Sequence, residues 1–192
     1  MSATKPRLWK LLSLRTFSWR KGLSLRESTF LVTATIVRLI ALLFAALATG
    51  ALVVNWFGLA RAMARLPSAS GYTEFHQAST QTFDPYVPIV TWGALLGGVA
   101  LTVLSAGLSS TPGQLAVAGF LCYAAVIAIS LSTGVRMNQL IARWSIESPP
   151  DDWALIRARW IRFHILRTLF SVPGLACYLL SCLLEGPLTR PT

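Results

Sequence analysis

The stretch LIALLFAALATGALVVNWFGLA, from Leu39 to Ala60, decides the fold. It carries no charged residue, and about 20 apolar residues at helical rise cross the hydrocarbon core of a bilayer. The stretch therefore predicts a transmembrane helix. We expect this helix to begin near Thr29, with Arg38 either extending to the membrane surface or facing a partner helix.

Three further apolar runs follow, at Tyr86–Leu108, Gln114–Val135 and His164–Leu184. The tight-turn sequence Ser109–Gly113 is too short to hold a domain, so the second and third runs should form a hairpin. Together the runs predict an all-α fold, a four-helix transmembrane bundle.

Two local patterns refine this bundle. Gly93 and Gly97 form a small-xxx-small pattern, which lets two membrane helices approach closely. Pro173 and Gly174 lie within the last run, where a kink is expected.

The chain divides into a basic tail (residues 1–28), a four-helix domain (29–186) and a short tail (187–192). The basic tail interleaves leucines with lysines and arginines, so it is either an interfacial amphipathic helix or a disordered segment. Two connections, Arg61–Pro85 and Arg136–Phe163, are long enough to carry functional residues.

Composition favours lipid as the partner. Hydrophobic residues make up 54% and charged residues 12%, whereas soluble domains carry about 25% charged residues. The net charge is +10, but the cations flank apolar runs and no nucleic-acid recognition motif occurs, so we expect no nucleic-acid partner. The three cysteines lie within apolar runs and indicate small buried residues.

Arginine and lysine positions suggest an orientation. Seven of these cations precede Glu27, and an excess of cations marks the cytoplasmic side. The connection Arg136–Phe163 also holds five arginines, which argues for a function besides orientation. Because the tail comes first, we expect a multi-pass protein of the cell membrane with both termini cytoplasmic.

The stretch DDWALIRARWIRFHILRT, from Asp151 to Thr168, carries costly polar groups into the last run. Two prolines and the aspartates predict a helix start there, with an aspartate as cap. Spacings of four, three, four and three place five side chains on one helical face: Trp153, Arg157, Trp160, His164 and Arg167. This face either lines an interior pocket or anchors the helix at the membrane boundary.

Other polar groups should meet this face. In an antiparallel bundle, the ends of the first and third runs and the starts of the second and fourth share one membrane side. The groups that converge there are Asn55, Glu74, His76, Gln77 and Asn138. Such convergence predicts a binding pocket.

Three segments carry a resemblance to a known family. MNQLIARW and PPDDWALIRARWIRFHILRT resemble the signature of the anthrone-oxygenase-like family of small integral membrane proteins, and YTEFHQASTQTFDPYVP is similar to its Phe-x-x-x-Gln stretch. His76 takes a place often held by glutamine. The matching positions are Asn138, Trp144, Trp153, Arg157, Trp160, His164 and Arg167.

The resemblance implies a four-helix membrane bundle, and for some members the oxidation of anthrones to anthraquinones by molecular oxygen without a cofactor. On that hypothesis His164 or His76 is the base, and Arg157 and Arg167 stabilise the oxyanion. The candidate substrate-binding residues are Asn138, Trp144, Trp153, Trp160 and Gln77. The expected ligand is an aromatic or quinone-like small molecule.

Two alternatives stay open. His76, His164 and Glu74 form a two-histidine, one-carboxylate set that suits a metal ion, although no ligand pair has motif spacing and we expect neither metal nor cofactor. The other alternative is a non-enzymatic membrane protein that binds a quinone, a lipid or a partner helix. No nucleotide, flavin or serine-hydrolase motif occurs.

Overall fold

The computed structural model describes residues 25–105 and 108–185, and these form five helices. The helices are α1 (Leu25–Ala64), α2 (Ala69–Phe83), α3 (Tyr86–Leu104), α4 (Thr111–Ala142) and α5 (Trp153–Leu184). The predicted all-α class is therefore confirmed. Most of the basic tail and all of residues 187–192 lie outside the described residues.

Four of these helices, α1, α3, α4 and α5, are long and apolar enough to cross a membrane. Each packs against its neighbour in sequence, and α5 returns to pack against α1. The four spans thus form a closed ring, with large apolar side chains such as Leu39, Val103 and Leu183 on its outer surface. The predicted four-helix bundle is confirmed, and the chain is a multi-pass membrane protein.

The predicted small-xxx-small contact joins α3 to α1. A Cβ atom added to Gly97 would lie 2.9 Å from the Cα atom of Ala41, and one added to Gly93 would lie 2.2 Å from the ring of Phe44. Both distances are shorter than a real contact. At Gly97 the neighbouring atom belongs to the α1 backbone, so this close approach requires glycine.

Two tyrosines cross the centre of the bundle. Tyr123 of α4 donates to the Ala45 carbonyl of α1 at 3.0 Å, and Tyr178 of α5 donates to the Ala94 carbonyl of α3 at 3.2 Å. The two rings stack with their centroids 5.4 Å apart. These two bonds join helices that lie diagonally across the four-helix bundle. Both hydroxyls are buried in an apolar environment, where a hydrogen bond is stronger than in water.

An ion pair closes one end of the bundle. Arg38 of α1 pairs with Glu185, the residue that follows α5, and both side chains are mostly buried. Of the two expectations for Arg38, contact with a partner element is the one observed.

The connection Arg61–Pro85 contains a helix, α2, which the sequence analysis did not predict. Ser68 caps this helix by accepting a hydrogen bond from the Gly71 amide at 3.2 Å. The buried residues Tyr72, Thr73 and His76 lie on its inner face. Helix α2 therefore packs across the end of the bundle and carries His76 inward.

Helix boundaries also differ from the apolar runs. Helix α4 continues past Val135 to Ala142, so Asn138 is helical. Asp152 occupies the N-cap position of α5, but its side chain makes no capping hydrogen bond, contrary to our expectation. Helix α5 then continues through Pro173 without ending.

Gly97 provides a test of the packing between α1 and α3. Gly97→Ala should destabilise the protein by about 1–3 kcal/mol, because its new methyl group meets the α1 backbone. Gly50→Ala is the matched control, since a Cβ atom there meets nothing within 4 Å. Unfolding in mixed micelles measures both variants, and equal stability of the two would contradict the close approach.

Candidate functional site

The inward face of α5 holds polar and charged side chains whose burial within a membrane span is energetically unfavourable. Arg167 is 8% exposed, His164 5% and Trp160 3%. Arg159 and Arg162 on the opposite side are exposed. Neighbouring helices therefore shelter His164 and Arg167 from lipid, which removes most of the cost of a charge within a span.

His164 and Arg167 border an inner cavity of about 130 Å³ that is lined by residues of all five helices. Its polar lining residues are Asn55, Ser79, Thr80, Asp84, Thr91, Ser130, Asn138, Trp160, His164 and Arg167. The remaining lining is apolar, including Phe83, Trp92 and Phe163. A mostly apolar hollow with a few converging polar groups is typical of a small-molecule site.

Two π-helical turns help to form this cavity. One spans Asn55–Ala60 in α1 and the other Ser130–Gly134 in α4, and residues of both line the inner cavity. A π-turn inserts one extra residue into a helix and redirects the side chains around it, and such turns are frequent at functional sites.

The Arg167 guanidinium contacts three neighbouring side chains. It donates to His164 Nδ1 at 2.8 Å and to Ser130 Oγ at 3.3 Å, and its Cζ atom lies 4.4 Å from the centre of the Phe163 ring. A guanidinium has only donors, so the imidazole that accepts from it is neutral. The pair therefore offers a cation to the cavity.

A second polar chain runs from α5 to the start of α3. Trp160 Nε1 donates to Asn138 Oδ1 at 3.0 Å, and Asn138 Nδ2 donates to Asp84 Oδ1 at 3.4 Å. The indole of Trp160 also lies against the imidazole of His164, with ring centroids 3.8 Å apart. Trp160 and Asn138 thus connect the buried histidine to a carboxylate at the cavity edge.

An outer cavity of about 390 Å³ adjoins the inner one. Residues that line both are Thr80, Asp84, Pro88, Val135 and Asn138. His76, Gln77, Gln81, Gln139 and Ala142 complete the outer lining. The contact between Asp84 and Asn138 lies on the border that the two cavities share.

His76 is fully buried on α2. Its ring meets Trp160 edge-on at 5.1 Å between centroids, and Nδ1 lies 3.4 Å from Thr80 Oγ1. Burial lowers the pKa of His76 to about 4, because a charged imidazole would lose its hydration there. His76 is therefore neutral at physiological pH.

Arg157, proposed from the sequence as an oxyanion ligand, lies outside both cavities. It donates to the carbonyls of Met63 and Leu66 at 3.2 and 3.0 Å, and it stacks 4.6 Å from the Trp153 ring centre. Met63 belongs to the last turn of α1, and Leu66 lies just beyond that helix. Through these hydrogen bonds, Arg157 joins the end of α1 to α5.

Trp144, Trp153 and Gln77 belong to the same end of the bundle. Gln77 Nε2 donates to the Ile141 and Trp144 carbonyls, both at 3.0 Å, and so caps α4. Tyr72 packs between Trp144 and Trp153. Of this group only Gln77 borders a cavity, the outer one.

Asp84 is the residue that sequence reasoning missed. It follows α2 and precedes the proline before α3. Partial burial raises the pKa of its carboxyl group, against the smaller opposing effects of the hydrogen bond from Asn138 and the charge of Arg167. A carboxylate at the start of a membrane span was a usable signal, since such groups are costly near lipid.

The alternative metal set lacks a ligand cluster. Glu74 is exposed on α2 and lines neither cavity. Within residues 25–105 and 108–185, no three His, Cys, Asp or Glu side chains gather closely enough to hold a metal ion.

Fold and site define a class: a membrane-spanning four-helix bundle with a buried arginine–histidine pair in a cavity at one end. The model of the anthrone oxygenase family matches residues 75–177, just over half of the chain, from α2 into α5. The chain belongs to the anthrone oxygenase family. No curated protein and no solved structure matches it.

The burial of His76 predicts an unusual titration. Its folded-state pKa near 4 lies below the ordinary value of 6.5, so between these values the unfolded chain binds more protons and stability falls as pH falls. The chain has two histidines, and a His164→Gln variant assigns their ¹⁵N side-chain resonances. The expected midpoint for His76 is about 4; a midpoint at the ordinary value would show that the ring is hydrated.

Proposed function

We propose that the protein oxidises a flat aromatic ketone of the anthrone type with molecular oxygen, in the inner cavity and its outer extension. The observation that carries this proposal is the buried Arg167 beside a neutral His164. A fixed cation in an apolar hollow stabilises negative charge that develops on a bound substrate. Membership of the anthrone oxygenase family supports the choice of substrate class.

The chemistry requires little from the protein. An anthrone has a carbonyl group and, across the central ring, an acidic methylene group. Loss of a methylene proton gives an enolate whose oxygen carries the charge, and Arg167 is placed to stabilise this oxygen. The enolate is electron-rich enough to reduce oxygen directly, so the proposal assigns no cofactor to the reaction.

Cavity size determines how such a substrate would bind. A dry cavity of about 150 Å³ accommodates one benzene molecule, so the inner cavity of about 130 Å³ has room for a single ring. A three-ring substrate therefore needs the outer cavity as well. Trp160 and Phe163 supply aromatic surface to the inner ring, and Asn138 supplies an amide at the border.

The side of the membrane follows from orientation. We place both termini on the cytoplasmic side of the cell membrane, because the basic tail precedes the first span. Helix α1 then ends on the opposite side, where the cavities also lie. The substrate partner is an apolar aromatic molecule that reaches this side through the lipid bilayer.

Arg167→Gln tests the proposed oxyanion role. With purified protein in lipid nanodiscs, anthrone-dependent oxygen uptake should fall by roughly 10²–10³ in this variant, the usual loss when one oxyanion contact is removed. Arg162→Gln is the control, since Arg162 is an exposed arginine of the same helix that lines neither cavity.

Three results would contradict the proposal: no oxygen uptake by the wild type, equal rates in the two variants, or anthrone binding without turnover. Binding without turnover, followed by tryptophan fluorescence, would instead favour a non-enzymatic quinone-binding protein.

A further inference from the structure

The two cavities share one acidic side chain. Of the residues that line either cavity in the described part of the chain, Asp84 alone carries a carboxylate. Its Oδ1 atom accepts from Asn138, and Trp160 holds that amide from the other side. Asp84 therefore has a fixed neighbour on the border where a three-ring substrate would lie.

We propose that Asp84 is the base that removes the methylene proton of the substrate. This role rests on the proposed oxidation, and it replaces the two histidines as candidates. It makes Asp84 a catalytic residue, since its carboxylate would touch the reacting carbon–hydrogen bond.

His164 is poorly suited to be the base. Accepting a proton would place a second cation within hydrogen-bonding distance of the Arg167 guanidinium. Like charges so close together in a buried site repel each other strongly. A neutral imidazole that helps to orient the guanidinium is the stable arrangement.

His76 is also poorly suited. Its ring is fully buried against Trp160 and Tyr72. Burial disfavours the imidazolium that proton removal from a substrate would create there, and it holds the pKa of His76 near 4. His76 is better placed to support Trp160.

Asp84 has the properties that both histidines lack. Its negative charge becomes neutral on accepting a proton, so the transfer creates no new cation near Arg167. Burial already raises the pKa of its carboxyl group, which strengthens it as a base. Asp84 is an exposed residue, so protons can be exchanged with water.

The reaction balances with oxygen as the only oxidant. Asp84 takes one methylene proton, and the electron pair of the broken bond enters the enolate. The enolate carbon forms a bond to oxygen, and the Asp84 carboxyl group returns its proton to the outer oxygen to give a hydroperoxide. The Asp84 carboxylate then takes the second methylene proton as the oxygen–oxygen bond breaks and the new carbonyl forms, and it passes this proton to the departing hydroxide, which leaves as water.

Anaerobic hydrogen exchange isolates the first of these steps. Protein in nanodiscs is incubated with anthrone in D₂O without oxygen, and deuterium at the methylene carbon is followed by mass spectrometry. The wild type should accelerate exchange above the spontaneous rate. In Asp84→Asn the accelerated exchange and the aerobic oxygen uptake should both fall by roughly 10²–10⁴, the usual contribution of a general base.

Two variants keep the test decisive. Asp84→Asn retains the shape and can still contact Asn138, so anthrone binding measured by tryptophan fluorescence should stay within about twofold of the wild type. Glu74→Gln removes a carboxylate from the exposed side of α2 and should leave exchange and uptake unchanged.

The outcomes separate the two proposals. Wild-type protein without oxygen uptake would overturn the oxidation itself. Wild-type turnover together with undiminished exchange in Asp84→Asn would overturn only the role of Asp84. Loss of anthrone binding in Asp84→Asn would also overturn that role, because it would make Asp84 a binding group.

Discussion

The contact between Arg167 and His164 is the interaction on which the rest of the site depends. A guanidinium within a membrane span costs several kcal/mol unless it is paired or hydrated. Here it has an imidazole, a serine hydroxyl and the face of Phe163 as neighbours. All four spans surround this guanidinium: Arg167 lies on α5, Ser130 comes from α4, and residues of α1 and α3 line the other sides of the cavity.

The cavity beside Arg167 and His164 forms where two helices of a tightly packed bundle are irregular. Glycines bring α1 and α3 into close contact, and the tyrosine pair of α4 and α5 fills the centre. At the cavity the π-turns of α1 and α4 interrupt that regular packing. Farther along the same end, Arg157 and Gln77 cap the carbonyls of α1 and α4. The cavity thus lies between the tightly packed core of the bundle and the end at which Arg157 and Gln77 cap α1 and α4.

The sequence predicted the spans and the glycine contact, because apolar length and small-residue spacing are local properties. It also predicted the helical face that carries His164 and Arg167. It did not separate Arg157 from that pair, since three residues on one face can meet different neighbours along its length. Helix α2, the π-turns and the position of Asp84 were missed, because each depends on packing between segments distant in sequence.

Solid-state NMR in lipid bilayers tests the buried pair most directly. With ¹³C-labelled arginine and ¹⁵N-labelled histidine, the Arg167 guanidinium carbon should correlate with the ring nitrogens of a neutral His164 and show no dipolar coupling to lipid ³¹P. The exposed Arg162 serves as the internal reference for contact with headgroups. Coupling of Arg167 to lipid phosphate, without a correlation to His164, would mean that the arginine points out of the bundle and that the proposed cation site does not exist.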